Sequence, residues 1–292
     1  MTAHDLIRIL TVASLAGLLI GVGLRLRIGE VAASVRRSRL SLQIALNFVV
    51  VPILAITAAK LFGLSADQRV ALILLAASPF APVVPVFARM AKADLALAAG
   101  LTALFPILSA ALTPAVCWAS LWWSEGSHPL SFNPWRILAV LVATITLPLA
   151  LGVAVNHWAP GAARRCLRPI EVLAEAAGAC SLAYVTFAEF EAIRTTGGAS
   201  ILATLAVAEA ALVVGFALGG PDVAARRVTA LGANNRNIAL ALLVSLDGFA
   251  GTAVVPAVVA NGLALIGSGL LHVGWWRWRG IDPPAAGHRS SP

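Results

Sequence analysis

Polar residues are spread so thinly along the 292-residue chain that the apolar runs between them define its elements. Nine runs stand out, at about 6–24, 40–63, 70–88, 95–121, 136–157, 171–190, 199–218, 228–247 and 252–274. Each is long enough to carry a helix across a hydrocarbon core of ~30 Å. The gaps between runs are too short to hold a domain outside the membrane. The pattern therefore predicts an all-α polytopic membrane protein. One transmembrane domain of nine spans covers 1–280, and a disordered tail, IDPPAAGHRSSP, covers 281–292.

Two spans are built badly for an unbroken helix. Span 3 contains SPFAPVVP, with Pro79, Pro82 and Pro85 within seven residues. Each proline removes a backbone donor and clashes with the preceding turn. Span 8 contains Gly232 followed by the polar run Asn234, Asn235, Arg236 and Asn237. Open backbone at membrane depth is tolerated only where protein or a wet cavity satisfies it. The two interruptions hold corresponding positions, each in the span before the last of its half. Such a matched pair points to the midplane site of an inverted-repeat transporter. The plainer alternative is a proline kink that serves packing, with asparagines acting as interhelical glue. Arg236 weighs against it. An arginine at a helix centre costs roughly 2.5–3.5 kcal/mol, and Arg236 lies ten residues from Arg226 and eleven from Asp247.

Composition sharpens the setting. Hydrophobic residues make up 60% of the chain, charged residues 12%, and mean hydropathy is +0.90; soluble domains average about 25% charged. The net charge of +8 invites a nucleic-acid partner, but its placement rejects one. With the N-terminus outside, 15 of the 21 basic residues fall on the cytoplasmic side, among them Arg25, Arg36, Arg89, Arg164, Arg226 and Arg277. Lys60, Arg69, Arg136 and Arg194 fall on the other. Basic residues near helix ends stay cytoplasmic, which predicts a multi-pass protein of the cell membrane, N-outside and C-inside, whose partner is the lipid bilayer. Basic residues follow span 1 rather than precede it, unlike a cleaved leader.

Catalytic chemistry finds no footing. Cys117, Cys166 and Cys180 have no metal or disulfide spacing. The five histidines stand at span ends or in tails, and no HExxH or G-x-S-x-G motif occurs. The sequence predicts no enzyme, no cofactor and no metal centre.

Several segments, taken in order, resemble the bile acid:sodium symporter family in its nine-crossing form. GVGLRLRIGEVAASVRRSR resembles the family's opening helix and basic loop, and LNFVVVPILAITAAKLFGLS its amide-Phe-x-x-x-Pro segment. AKADLALAAGLTALFPILSAALTPAV resembles the helix after the first crossover, and GANNRNIALAL the second crossover. The resemblance implies an inverted-repeat fold with two crossing broken helices, spans 3 and 8. Spans 2, 3, 4, 7, 8 and 9 would form a core and spans 1, 5 and 6 a panel. It also implies carriage of organic anions such as bile acids, steroid sulfates or carboxylates, usually driven by sodium.

The chain departs from the family at its sodium ligands. Val84 and Pro85 stand where the family has Ser and Asn, Ala98 and Thr102 where it has a hydroxyl pair, and Ala230 where it has a glutamate. Asn47 and Asn234 stand at glutamine positions and remain the sodium candidates. A second register, matching Arg236-Asn237 to a Gly-x-Arg-Asn form, leaves these losses unchanged. Hard cations want oxygen ligands, so two-sodium coupling is not expected, and transport would be proton-coupled or uniport. Arg236 is expected to contact the acid group of a small organic anion, its charge standing in for the cation that relatives recruit. Asn234, Asn235 and Asn237 would orient that anion, with Thr102 and Asn47 lining the site. Glu209, midway along span 7, is expected to partner Arg236, either as a coupling group or as a purely structural ion pair. A non-transporting receptor or scaffold derived from a carrier is the runner-up.

Overall fold

A computed structural model describes residues 3–26, 29, 39–125, 133–220 and 222–279. The tail at 281–292, expected to be disordered, lies outside the described residues. Among those residues seven helices are long and apolar enough to cross a membrane. They are α1 (Ala3–Arg25), α2 (Leu40–Leu61), α5 (Leu95–Glu125), α6 (Pro134–Trp158), α7 (Pro160–Ala188), α9 (Gly198–Leu218) and α12 (Val254–Trp278). Span 3 is two short helices, α3 (Ala66–Ala76) and α4 (Val84–Met90). Span 8 is likewise divided into α10 (Val223–Asn234) and α11 (Ile238–Gly248). The short α8 (Phe190–Thr195) links α7 to α9.

The interrupted helices begin with strong local signals. Ser65 and Gln68 form a reciprocal capping box at the start of α3, satisfying two orphan donors at once. Asp222 caps α10 by accepting from the Ala225 N–H at 2.7 Å. The two breaks lie against each other. The Ala81 N–H donates to Asn235 O at 3.0 Å, and the Asn237 N–H donates to Ser78 O at 2.9 Å. Each unwound strand thus supplies partners that the other has lost, as buried backbone requires.

Two sequence expectations shift in register. Gly232 was expected to open span 8, but it is helical; α10 runs on to Asn234 and the break falls at Asn235–Asn237. The glycine serves a close approach instead: a Cβ on Gly232 would meet Phe80 Cε2 at 2.2 Å. Phe80, in the opposite break, adopts φ +55 and lays its ring there. Pro79 and Pro82 stand in the unwound segment between α3 and α4, whereas Pro85 sits in the first turn of α4, where a missing N–H costs nothing.

Two other helices carry a wide π turn, at Leu46–Val50 in α2 and Val142–Thr146 in α6. A proline follows each by two residues, Pro52 and Pro148. The missing proline donor leaves a gap in the ladder that the wide turn absorbs. Around these elements α1 packs along both α6 and α7. Gly23 and Gly152 let α1 and α6 touch backbone to backbone, since a Cβ on Gly152 would stand 2.3 Å from Ile20 O. Small residues at such contacts are the usual device for close packing in lipid.

Candidate functional site

Past the end of α3, Ile73 O accepts from Ala77 N–H at 2.8 Å and Leu74 O from Ser78 Oγ at 2.7 Å. Ala77 O accepts from Thr113 Oγ1 at 2.9 Å, and Ser78 O from Asn237 N–H. Leu75 O and Ala76 O are reached by Arg236: Nε donates to Leu75 O at 3.3 Å, and a terminal nitrogen donates to Ala76 O. The run of orphan carbonyls that a buried helix end would leave is therefore filled.

Arg236 reaches further. One terminal nitrogen donates to Asn47 Oδ1 at 2.7 Å and to Ala233 O at 3.4 Å; the other also donates to Asn47 O at 3.2 Å. A guanidinium has five N–H donors, and here five oxygens receive them. The Asn47 carbonyl is available for a local reason. In the π turn Val51 N–H bonds back to Leu46 O, and the residue next in register is Pro52, which has no N–H. The turn thus frees a main-chain oxygen that Arg236 takes up. Asn47 Nδ2 in turn donates to Gln43 O at 3.0 Å, which steadies the amide.

The expected Arg236–Glu209 pair does not form. Glu209 Oε2 lies 3.0 Å from His272 Nε2. Its Oε1 accepts from Ser268 Oγ at 2.9 Å. The side chain lies against α12 and is about half exposed (45%), whereas Arg236 is buried. A link between the two regions survives through Asn234, whose Nδ2 donates to Ser268 Oγ at 3.0 Å.

The asparagines divide their work. Asn237 is the N-cap of α11, its Oδ1 accepting from Leu240 N–H at 3.0 Å. Asn235 donates from its side chain to Leu231 O and packs beneath Gly269. Asn234 faces α9 and α12, reaching Ala208 O and Ser268. Thr102 is buried in α5, and its hydroxyl has no hydrogen-bond partner among the described residues. Three of the positions that the resemblance assigns to sodium ligands are apolar: Val84, Ala98 and Ala230 are buried in one cluster with Phe80, Leu101 and Phe105. The Phe80 and Phe105 rings stack there at 4.7 Å.

A cavity of about 200 Å³ opens between α1 and α7 on one side and the crossover on the other. Thr11, Ser14 and Ser181 give it hydroxyls, and Pro82, Asn235, Arg236 and Asn237 form the opposing wall. Thr11 and Ser181 share a hydrogen bond of 2.7 Å across the α1–α7 contact. Ile238 and Ala239, the first residues of α11, also line it, so the N-terminus of an 11-residue helix faces the space. Sequence reasoning missed these hydroxyls. Their signal was present: Thr11 and Ser14 are three residues apart in an otherwise apolar run, the spacing of one helix face.

A family model described as Sodium Bile acid symporter family matches residues 12–195. That stretch runs from α1 through α8 and includes Asn47, the first break and Ser181. No curated protein matches the chain.

Proposed function

Since the chain belongs to the sodium bile acid symporter family, we propose that it is a secondary transporter that binds a small organic anion in the cavity between α1, α7 and the crossover. The observation that carries this reading is the cavity's own chemistry. Hydroxyls of Thr11, Ser14 and Ser181 face the N-terminal turn of α11 across an apolar floor. The first N–H groups of a helix have no intrahelical partner and its dipole favours negative charge. Arg236 lines the same wall, and its five acceptors are all neutral oxygens. Its charge is therefore left to attract an anion through space rather than by direct contact.

On this reading the molecule is a nine-crossing inverted repeat. The two interrupted helices belong to a core of spans 2, 3, 4, 7, 8 and 9, and α1, α6 and α7 form the panel across which the cavity opens. Midplane sites at such crossovers serve alternating access by relative movement of the two bundles. Asn235 and Asn237 are the polar groups of the core wall, and Asn47 acts through Arg236. Glu209, paired with His272, is the coupling group on this reading, and Ser268 and Asn234 connect it to the crossover. Two-sodium coupling is absent, because Val84, Ala98 and Ala230 supply no side-chain oxygen. The reaction is translocation, without a chemical step and without a cofactor.

Counterflow in proteoliposomes against labelled carboxylates and sulfates is the test. Uptake of at least one anion is expected, reduced at least tenfold by Thr11→Leu with Ser181→Leu, which fill the cavity without touching the crossover. A saturating dependence on sodium with a Hill coefficient of about 2 would refute the coupling part. Absence of uptake for every anion, with ligand-induced stabilisation retained, would favour the receptor reading.

A further inference from the structure

The oxygens around Arg236 form a cage of unusual composition. Three elements contribute: α2 through Asn47 Oδ1 and Asn47 O, the end of α3 through Leu75 O and Ala76 O, and the end of α10 through Ala233 O. All five are neutral carbonyl or amide oxygens, and they can only accept. Rings of such oxygens replace the hydration shell of a bare cation in selective pores. The α3 and α10 helices, of 11 and 12 residues, both end here. Each C-terminus carries roughly half a negative charge, so the site is electronegative without a carboxylate. A further oxygen stands beside it. Asn234 Oδ1 is buried with no hydrogen-bond partner among the described residues. Asn234 and Arg236 share the wall of a void of about 10 Å³.

We propose that this cage is a monovalent-cation site which the chain fills permanently with its own Arg236 guanidinium. The inference goes beyond the transport reading and does not depend on it. A side chain tethered at full occupancy makes the crossover's integrity independent of ions in solution. Four main-chain oxygens and one amide oxygen cannot satisfy one another; Leu75 O also accepts from Ser78 N–H at 3.0 Å, but a neutral residue at 236 removes the guanidinium donors from Ala76 O, Ala233 O, Asn47 O and Asn47 Oδ1. A free cation of matching size then becomes the natural replacement. Guanidinium ion is the closest probe because it restores the planar fork of donors; sodium tests whether charge and oxygen coordination suffice.

The experiment uses the full chain bearing Arg236→Ala, purified in detergent. Thermal unfolding is followed in choline chloride, sodium chloride and millimolar guanidinium chloride at equal ionic strength, with the parent as control. A saturable rise of several degrees in the variant is expected with guanidinium, or with both cations. The parent should be unmoved or slightly destabilised, as denaturant action predicts. A variant whose midpoint in both cations equals that in choline overturns the proposal. Should Arg236→Ala fail to yield folded protein, Arg236→Lys and Arg236→Met carry the same question. Lysine keeps a cation in the cage and should give monodisperse protein where methionine does not. Equal recovery of the two, including none from either, also overturns it.

Discussion

Gly232 shows how a single missing methyl group holds the centre of this molecule together. Its bare Cα admits the ring of Phe80 from the facing break, and Phe80 then stacks on Phe105. Alanine at this position adds up to about 1 kcal/mol of helix propensity. Against that stands a Cβ only 2.2 Å from a packed ring, and overpacking costs about 1–3 kcal/mol. Gly232→Ala is therefore expected to lower the thermal midpoint in detergent, and adding Phe80→Ala should recover part of the loss. A midpoint that rises in the single variant would show that the contact is unimportant. The role of Gly232 was hidden in the sequence because its partner is remote in the chain. The same holds for Arg236. Its charge in an apolar run was plain to see, but four of its five acceptors are main-chain oxygens, as much as 189 residues distant. Backbone oxygens carry no residue-specific signal, so the sequence directed attention to the nearest acid on a core span. Glu209 instead found His272, which looked like a span-end residue when its helix was read alone.

At the scale of elements, prolines set the site more subtly than by breaking helices. Pro79 and Pro82 do break one. Pro52 instead leaves α2 continuous with a wide turn that releases Asn47 O toward Arg236. Removing a proline from a helix interior ordinarily stabilises, since proline costs ~3 kcal/mol there. Pro52→Ala should do the reverse. The restored N–H lets the ladder close, withdraws the Asn47 carbonyl and leaves a guanidinium donor unpaired, at a cost of about 1–3 kcal/mol. A lower thermal midpoint than the parent is expected, and the equivalent change in α6, Pro148→Ala, provides the comparison. If both variants gain stability alike, the turn in α2 is not held for Arg236. Pro106 and Pro114 mark the limit of reading prolines from sequence, because α5 runs through both.

At the scale of the whole molecule, the bias of basic residues predicts an orientation. Fusions of a compartment-sensitive reporter after residue 127 and after residue 162 are expected to report opposite sides, with 162 cytoplasmic. A cytoplasmic signal at 127 would overturn the N-outside arrangement. The apolar runs, the paired interruptions and the bias of basic residues were all legible in the sequence. Lipid imposes a length and a polarity on each span separately, so each leaves its record in consecutive residues. What closes the crossover was not legible. That Asn235 O receives Ala81 N–H, that a π turn surrenders a carbonyl, and that hydroxyls of α1 and α7 face the N-terminus of α11 all require the chain to return on itself. The sequence by itself determined that backbone would be left open at two places and that a charge would lie between them. Which oxygens satisfy that charge is set by the folded arrangement, because four of the five are main-chain carbonyls, selected by position and not by residue type.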